Sequence, residues 1–276
     1  MLEQITPVVL THNEEANIAR TLSRLRWARD VVVVDSGSTD GTLAVLARFA
    51  NVRAFYRSFD THGSQWRYAV EETQIVTDWV LRLDADYQVS DALIAELARL
   101  DPNAPVNAYR IGFDYAIFSS RLLASLYPAN TILLRKGCFS VWDKGHTEAW
   151  GVNGPVAALN ARITHDDWKP TAQWLAGQAR YMQRELDWLR VRKSGLTHWL
   201  RLTPPLMPVA VFLYCLFGKG LIFNGRAGIF YALQRMVAEA VLSLMVLEER
   251  LRKRDACADH RGVDGGKPRG HPAPRA

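Results

Sequence analysis

Residues 31–34 are four consecutive valines, followed by Asp35 and the turn-forming run Ser36-Gly37-Ser38-Thr39-Asp40-Gly41. A β-strand sends successive side chains to opposite faces, so an unbroken apolar run needs burial on both. That environment is a central strand of a parallel sheet covered by helices on each side. Residues 5–10 (ITPVVL), 52–56 and 79–83 read as further strands. Between them lie helical patterns. Residues 14–26 place Ile18, Leu22 and Leu25 on one face, and residues 42–49 and 65–74 follow. Ser90 is placed to cap a helix carrying Leu93, Leu97 and Leu100 on a shared face. Such alternation predicts an α/β fold with a mostly parallel sheet.

The alternation stops near residue 101. Residues 106–141 read as strands with a short helix near 121–127, residues 161–164 as a strand, and residues 171–192 as a helix. The apolar stretch 206–217 is too short to span a bilayer. Residues 227–247 are long enough, but Gln234, Arg235 and Glu239 fall on one face, with Arg235 and Glu239 spaced to pair. The pattern predicts helices lying in a membrane interface; a soluble helical subdomain with packed apolar faces is the other reading. The basic run RLRKR at 250–254 would then face anionic headgroups. The expected organisation is a catalytic domain over 1–170, a helical membrane-associating region over 171–251 and a disordered basic tail over 252–276.

Composition narrows the function. A chain that is 49% hydrophobic and 22% charged is globular, which excludes wholesale disorder. Three distant cysteines exclude a disulfide scaffold and offer no zinc spacing. The first residues have no basic, then apolar, leader, so no secretory signal is expected. The net charge of +6 sits almost wholly in residues 250–276, which hold eight Lys/Arg against three Asp. Charge confined to one tail argues against nucleic acid as a partner.

The chemistry-bearing residues stand where strands end. Asp84 and Asp86, in Leu83-Asp84-Ala85-Asp86, follow a buried strand, where two hard oxygen ligands suit Mg²⁺ or Mn²⁺. Alone, the pair is also what a polar strand end before a helix cap looks like. Asp35 ends the valine strand, and Thr11-His12-Asn13-Glu14-Glu15 follows the first. In open α/β sheets ligands bind at the carboxyl ends of the strands. Three such ends together are a far stronger signal than any one.

VVLTHNEEANIARTL, VVVVDSGSTDGT and DWVLRLDAD, in this order and spacing, resemble the nucleotide-sugar domain of family 2 glycosyltransferases, with its GT-A fold, over roughly residues 5–165. Within the family the chain is similar to bacterial lipopolysaccharide-core β-glucosyltransferases, which also carry an apolar C-terminal region. The resemblance implies that Thr11, Asn13 and Glu14 line the nucleotide pocket and that Asp35 contacts the nucleoside, usually uridine. It implies a metal at Asp84 and Asp86, with Asp86 the direct ligand. It also turns Gln65 and Arg67 toward the donor, Arg67 against the diphosphate or else as a solvated helix residue.

The implied reaction is inverting sugar transfer, which needs a general base for the acceptor hydroxyl. Glu148 is the candidate, aligned with an acidic residue of related enzymes; its other reading is a loop carboxylate. His146 stands two residues away, where relatives have an adjacent His-Glu pair. His165-Asp166-Asp167-Trp168 either caps the next helix or brings a histidine near the metal. Tyr87 stands where many relatives have glutamate. Trp142, Trp150 and Trp168 are candidates for stacking on sugar rings.

The expected protein moves a hexose from a UDP-linked donor to a lipid-linked envelope glycan such as lipopolysaccharide core. Its expected place is peripheral, on the cytoplasmic face of a bacterial inner membrane. Polyprenyl phosphate as acceptor, or a non-catalytic sugar-nucleotide-binding subunit, are the alternatives.

Overall fold

A computed structural model describes residues 1–144, 147–191, 195–204 and 206–263. His146 lies outside the described residues, as does the end of the basic tail. The elements run β1 (Ile5–Thr11), α1 (Ile18–Ser23), β2 (Val31–Asp35), α2 (Thr42–Leu46), β3 (Val52–Tyr56), α3 (His62–Glu71), β4 (Trp79–Asp84), β5 (Tyr87–Val89) and α4 (Asp91–Arg99). Then come β6 (Ala108–Ile117), β7 (Ser120–Arg121), β8 (Asn130–Arg135), β9 (Phe139–Lys144), β10 (Thr147–Val152) and β11 (Val156–His165). Among the described residues four α-helices follow: α5 (Thr171–Val191), α6 (Leu196–Arg201), α7 (Leu206–Leu213) and α8 (Gly225–Val263).

The main sheet has the order β3-β2-β1-β4-β8-β6-β11-β5, with β7 paired to β6. β1, β2, β3 and β4 are mutually parallel, as are β6 and β11; β8 is antiparallel to both neighbours. The valine run behaves as its burial demands. Val31 and Val33 pack with Ile18 and Leu22 of α1 and Leu93 and Leu97 of α4, while Val32 and Val34 pack with Trp66 and Ala69 of α3. Ser90 caps α4, its hydroxyl accepting from the Leu93 amide at 3.1 Å.

The sheet is curled. β5 is the far strand in the hydrogen-bonded order, yet only Ala85 and Asp86 separate it from β4. The turn between β4 and β5 must therefore join the middle of that path to its far end, and it brings Asp84 and Asp86 to the end of β11. Tyr87 pairs with His165, and the Asp166 amide donates to the Asp86 carbonyl at 3.2 Å.

Several sequence expectations need correction. The helix expected over 14–26 is reduced to α1, because residues 13–15 bind the loop after β2 instead of turning helically. No helix forms near 121–127; Leu122 packs against α7 and α8, and the Leu126 amide bonds the Tyr231 hydroxyl at 2.9 Å. α8 runs on to Val263, into the segment expected to be disordered. Glu239 pairs with Arg201, which also holds Glu185 and so ties α5, α6 and α8; Arg235 lies against the Tyr231 ring.

Candidate active site

The carboxyl ends of β1, β2 and β4 form one floor, with Thr11 in register with Asp35 and Leu10 in register with Asp84. Asp35 is buried and organises the loop that follows it. Its Oδ1 accepts from the Gly37 and Ser38 amides, both at 2.9 Å, and its Oδ2 from the Ser38 hydroxyl. Gly37, at φ +89°, permits that turn. Beside it, the buried Thr11 Oγ1 has no hydrogen-bond partner among the described residues. A buried polar atom without a partner is costly, so a ligand contact there would relieve a real deficit.

Asn13 and Glu14 are engaged within the protein. Asn13, at φ +55°, accepts from the Thr39 amide at 2.8 Å. Glu14 accepts from Asn17 at 2.8 Å and Lys169 at 2.7 Å, and burial raises its carboxyl to about 7 against the attraction of Lys169. Gln65 stands one layer behind the floor, bonding Ser36 and the Arg57 carbonyl at 2.7 and 3.0 Å. Arg67 is not brought to this floor. It lies two residues beyond Gln65, about 200° around a helix of 3.6 residues per turn, on the exposed side of α3.

Asp84 is exposed to water although protein surrounds much of it. Desolvation and the nearby charges of Asp86 and Glu148 raise its pKa. Tyr87, the departure from the family pattern, hydrogen-bonds Asp84 and also meets the Tyr127 hydroxyl. Asp86 is buried beside His165, with Nε2 3.1 Å from Oδ2. Against the desolvation of burial, His165 and Lys169 hold the Asp86 carboxyl down at about 2. His165 is enclosed by Tyr127, stacked at 5.0 Å, and by Tyr115 and Tyr87 edge-on.

Asp86 Oδ1 is buried without a partner among the described residues. That orphan oxygen and the crowded carboxylate of Asp84 fit a hard divalent cation. No cluster of three or more His, Cys, Asp or Glu poised to hold a metal occurs among the described residues. The fit is thus to a cation that takes only one or two carboxylates from the protein, as Mg²⁺ commonly does.

Glu148, on β10, is joined to buried Arg82 of β4 at 2.8 Å and accepts from Trp150 Nε1 at 3.2 Å. It stands close enough to Asp84 to raise that carboxyl's pKa, while closing a buried ion pair. His165 was open to two readings in the sequence; the structure places it against Asp86. Lys169, which faces Glu14, Asp86 and Asp167, went unremarked there; the only sequence signal was its place in the polar run after β11.

Polar groups converging at the carboxyl ends of parallel strands mark the ligand-binding edge of an open α/β sheet. Residues 7–124 match the family model described as Glycosyl transferase family 2. An uncharacterised glycosyltransferase of Rickettsia typhi is 34% identical over 97 residues, 35% of this chain and 32% of that protein. The lipopolysaccharide core biosynthesis glycosyltransferase LpsC of Rhizobium meliloti is 30% identical over 93 residues, 32% of this chain and 34% of LpsC. The chain thus spans about a third of the length of these curated relatives. Among solved structures, S. aureus TarS 1-349 in complex with UDP-GlcNAc aligns with 84% of this chain and 90% of its own, at 13% identity and a TM-score of 0.49.

Proposed function

We propose that the chain is an inverting glycosyltransferase that moves a hexose from a UDP-linked donor to a lipid-linked envelope glycan at a membrane surface. The observation that carries the reading is the meeting of Thr11, Asp35, Asp84 and Asp86 at one sheet edge, with two of their buried oxygens unpartnered. The nucleoside would lie over Asp35 and Thr11, and the diphosphate would reach Asp84 and Asp86. A divalent cation held there would neutralise the leaving diphosphate. Glu148 would take the proton of the acceptor hydroxyl. The hydroxyl oxygen then bonds the anomeric carbon, the bond from that carbon to the phosphate oxygen breaks, and the nucleoside diphosphate leaves with the electron pair. The family 2 match and the name of the LpsC relative support both the reaction and the acceptor class.

Calorimetric titration with UDP tests the donor half. Binding should need Mg²⁺ or Mn²⁺, vanish with chelator, and weaken at least about tenfold in Asp86→Asn. Tight UDP binding that ignores both metal and Asp86 would overturn the assignment.

The membrane half rests on the C-terminal helices. Leu221–Lys253 is long and apolar enough to cross a bilayer by length and composition, and 33% of its most apolar window is buried in the protein. Phe217 and Phe223, 64% and 84% exposed, stand at the bend between α7 and α8 with Lys219 and Arg226 nearby. Apolar residues beside cations suit the boundary of an anionic leaflet. The double variant Phe217→Glu/Phe223→Glu should stay folded and lose sedimentation with anionic vesicles. Unchanged sedimentation would mean that this bend does not meet lipid.

A further inference from the structure

We infer that Trp168 and Phe118 form a stacking platform for a pyranose ring of the acceptor saccharide, an inference that rests on the transferase reading above. β6 runs in the same direction as β4, because each is antiparallel to β8, and β11 is parallel to β6. The carboxyl ends of β6 and β11 therefore share the edge that carries Asp35 and Asp84. Phe118 directly follows β6, and Trp168 stands three residues past β11. Of the groups assigned to the donor, Thr11, Asp35 and Asp84 hold the β2-β1-β4 half of that edge and Asp86 meets it beside His165 of β11, which leaves the exposed rings of Phe118 and Trp168, past the ends of β6 and β11, for a second substrate.

Trp168 is 39% exposed yet rigidly held. Its Nε1 donates to Asp166 and its amide to Asn17, both at 2.8 Å, and the Arg20 guanidinium lies 4.3 Å from the ring centre. Phe118, 48% exposed, meets it edge-on at 6.3 Å. Phe118 and Ser119 form the two-residue turn between β6 and β7 at φ +46° and +67°, where Asn-Gly or Gly is the usual choice. A phenylalanine there is a strained backbone, and the Ser119 amide ties the turn to Asp166 at 3.1 Å. Strain held in place beside a site is a mark of function.

Aromatic faces carry negative potential and attract the C–H face of a neutral sugar ring. Asp166 is paired with Arg20 and Asp167 with Lys169, so the surroundings of the platform are balanced in charge, which suits a neutral sugar ring. Phe230 of α8 continues the aromatic surface at 5.9 Å from Phe118, toward the apolar helices that would receive the lipid end of the acceptor.

The test uses the full chain with UDP present, titrated with lipid-free core oligosaccharide released from lipopolysaccharide by mild acid. Trp168→Ala and Phe118→Gly should each raise the saccharide Kd about fivefold to tenfold, with UDP affinity and vesicle sedimentation unchanged. Phe118→Gly relieves the positive φ, so its melting temperature should match or exceed that of wild type, which separates recognition from folding. A wild-type protein that does not bind the saccharide overturns the platform, as do variants that bind it like wild type. So do variants that lose vesicle binding while keeping the saccharide, which would make this surface a lipid contact. Absent UDP binding by the wild type would sink the transferase reading, while the saccharide arm still decides the platform.

Discussion

Glu148→Gln is expected to stop sugar transfer while nucleotide binding survives. The substitution keeps the side-chain length and the oxygen that accepts from Arg82 and Trp150. The amide cannot take a proton from an acceptor hydroxyl. Loss of a positioned general base lowers the rate by about 10²- to 10⁴-fold, so kcat should fall into that range. UDP affinity in the presence of Mn²⁺ should stay within twofold or so, because Glu148 meets the site from β10 and not from the strand ends assigned to the nucleotide. The measurement is release of UDP from a UDP-hexose with and without lipid-linked acceptor, beside calorimetry on the same preparation. Retained transfer would make Glu148 a structural partner of Arg82 alone and would move the base elsewhere in the site.

The same residues show what could be read from the sequence. The parallel core was legible because Val31, Val32, Val33 and Val34 have one stable environment, and the structure covers both faces of β2. Thr11, Asp35, Asp84 and Asp86 were legible because strand ends of a parallel sheet converge whatever the loops do. The helix after β1 was overextended because Asn13, Glu14 and Glu15 spend their amides on Ser38, Thr42 and Asp40, contacts that helical periodicity does not record. Arg67 was grouped with Gln65 by the resemblance, and helix geometry turns the two side chains apart. His165 reaches Asp86 across 79 residues, and Arg82 reaches Glu148 across 66. Both contacts depend on the curl of the sheet and the fold-back of the β9–β10 hairpin, which no local pattern encodes. Arg82 in particular looks misplaced in the sequence, as a cation inside the buried strand WVLRLD. Only the structure supplies the carboxylate and the aromatic walls that make its burial tolerable.

Arg82→Ala should be strongly destabilising. The side chain is 5% exposed, and its Nε donates to the Thr131 carbonyl at 2.7 Å while Nη1 meets Glu148 at 2.8 Å. Its guanidinium lies 4.7 Å from the centre of the Trp150 ring and 5.9 Å from that of Trp66. One residue thus joins β4 to β8, β10 and α3. Removing it strands the Glu148 carboxylate in a largely dry setting, and breaking a buried pair from one side costs about 3–5 kcal/mol. Chemical denaturation should show a loss of that size. Lysine should recover only part of it, because an ammonium cannot serve the carbonyl and the carboxylate with the same planar fork. The double variant Arg82→Met/Glu148→Leu removes both charges and fills the space with apolar atoms. It should return to within about 1–2 kcal/mol of wild type, since buried ion pairs are often replaceable by packing. That double variant should nonetheless have no transferase activity. Stability restored without activity would mean that the pair is retained for the carboxylate it delivers to the site; activity restored with stability would remove Glu148 from the chemistry.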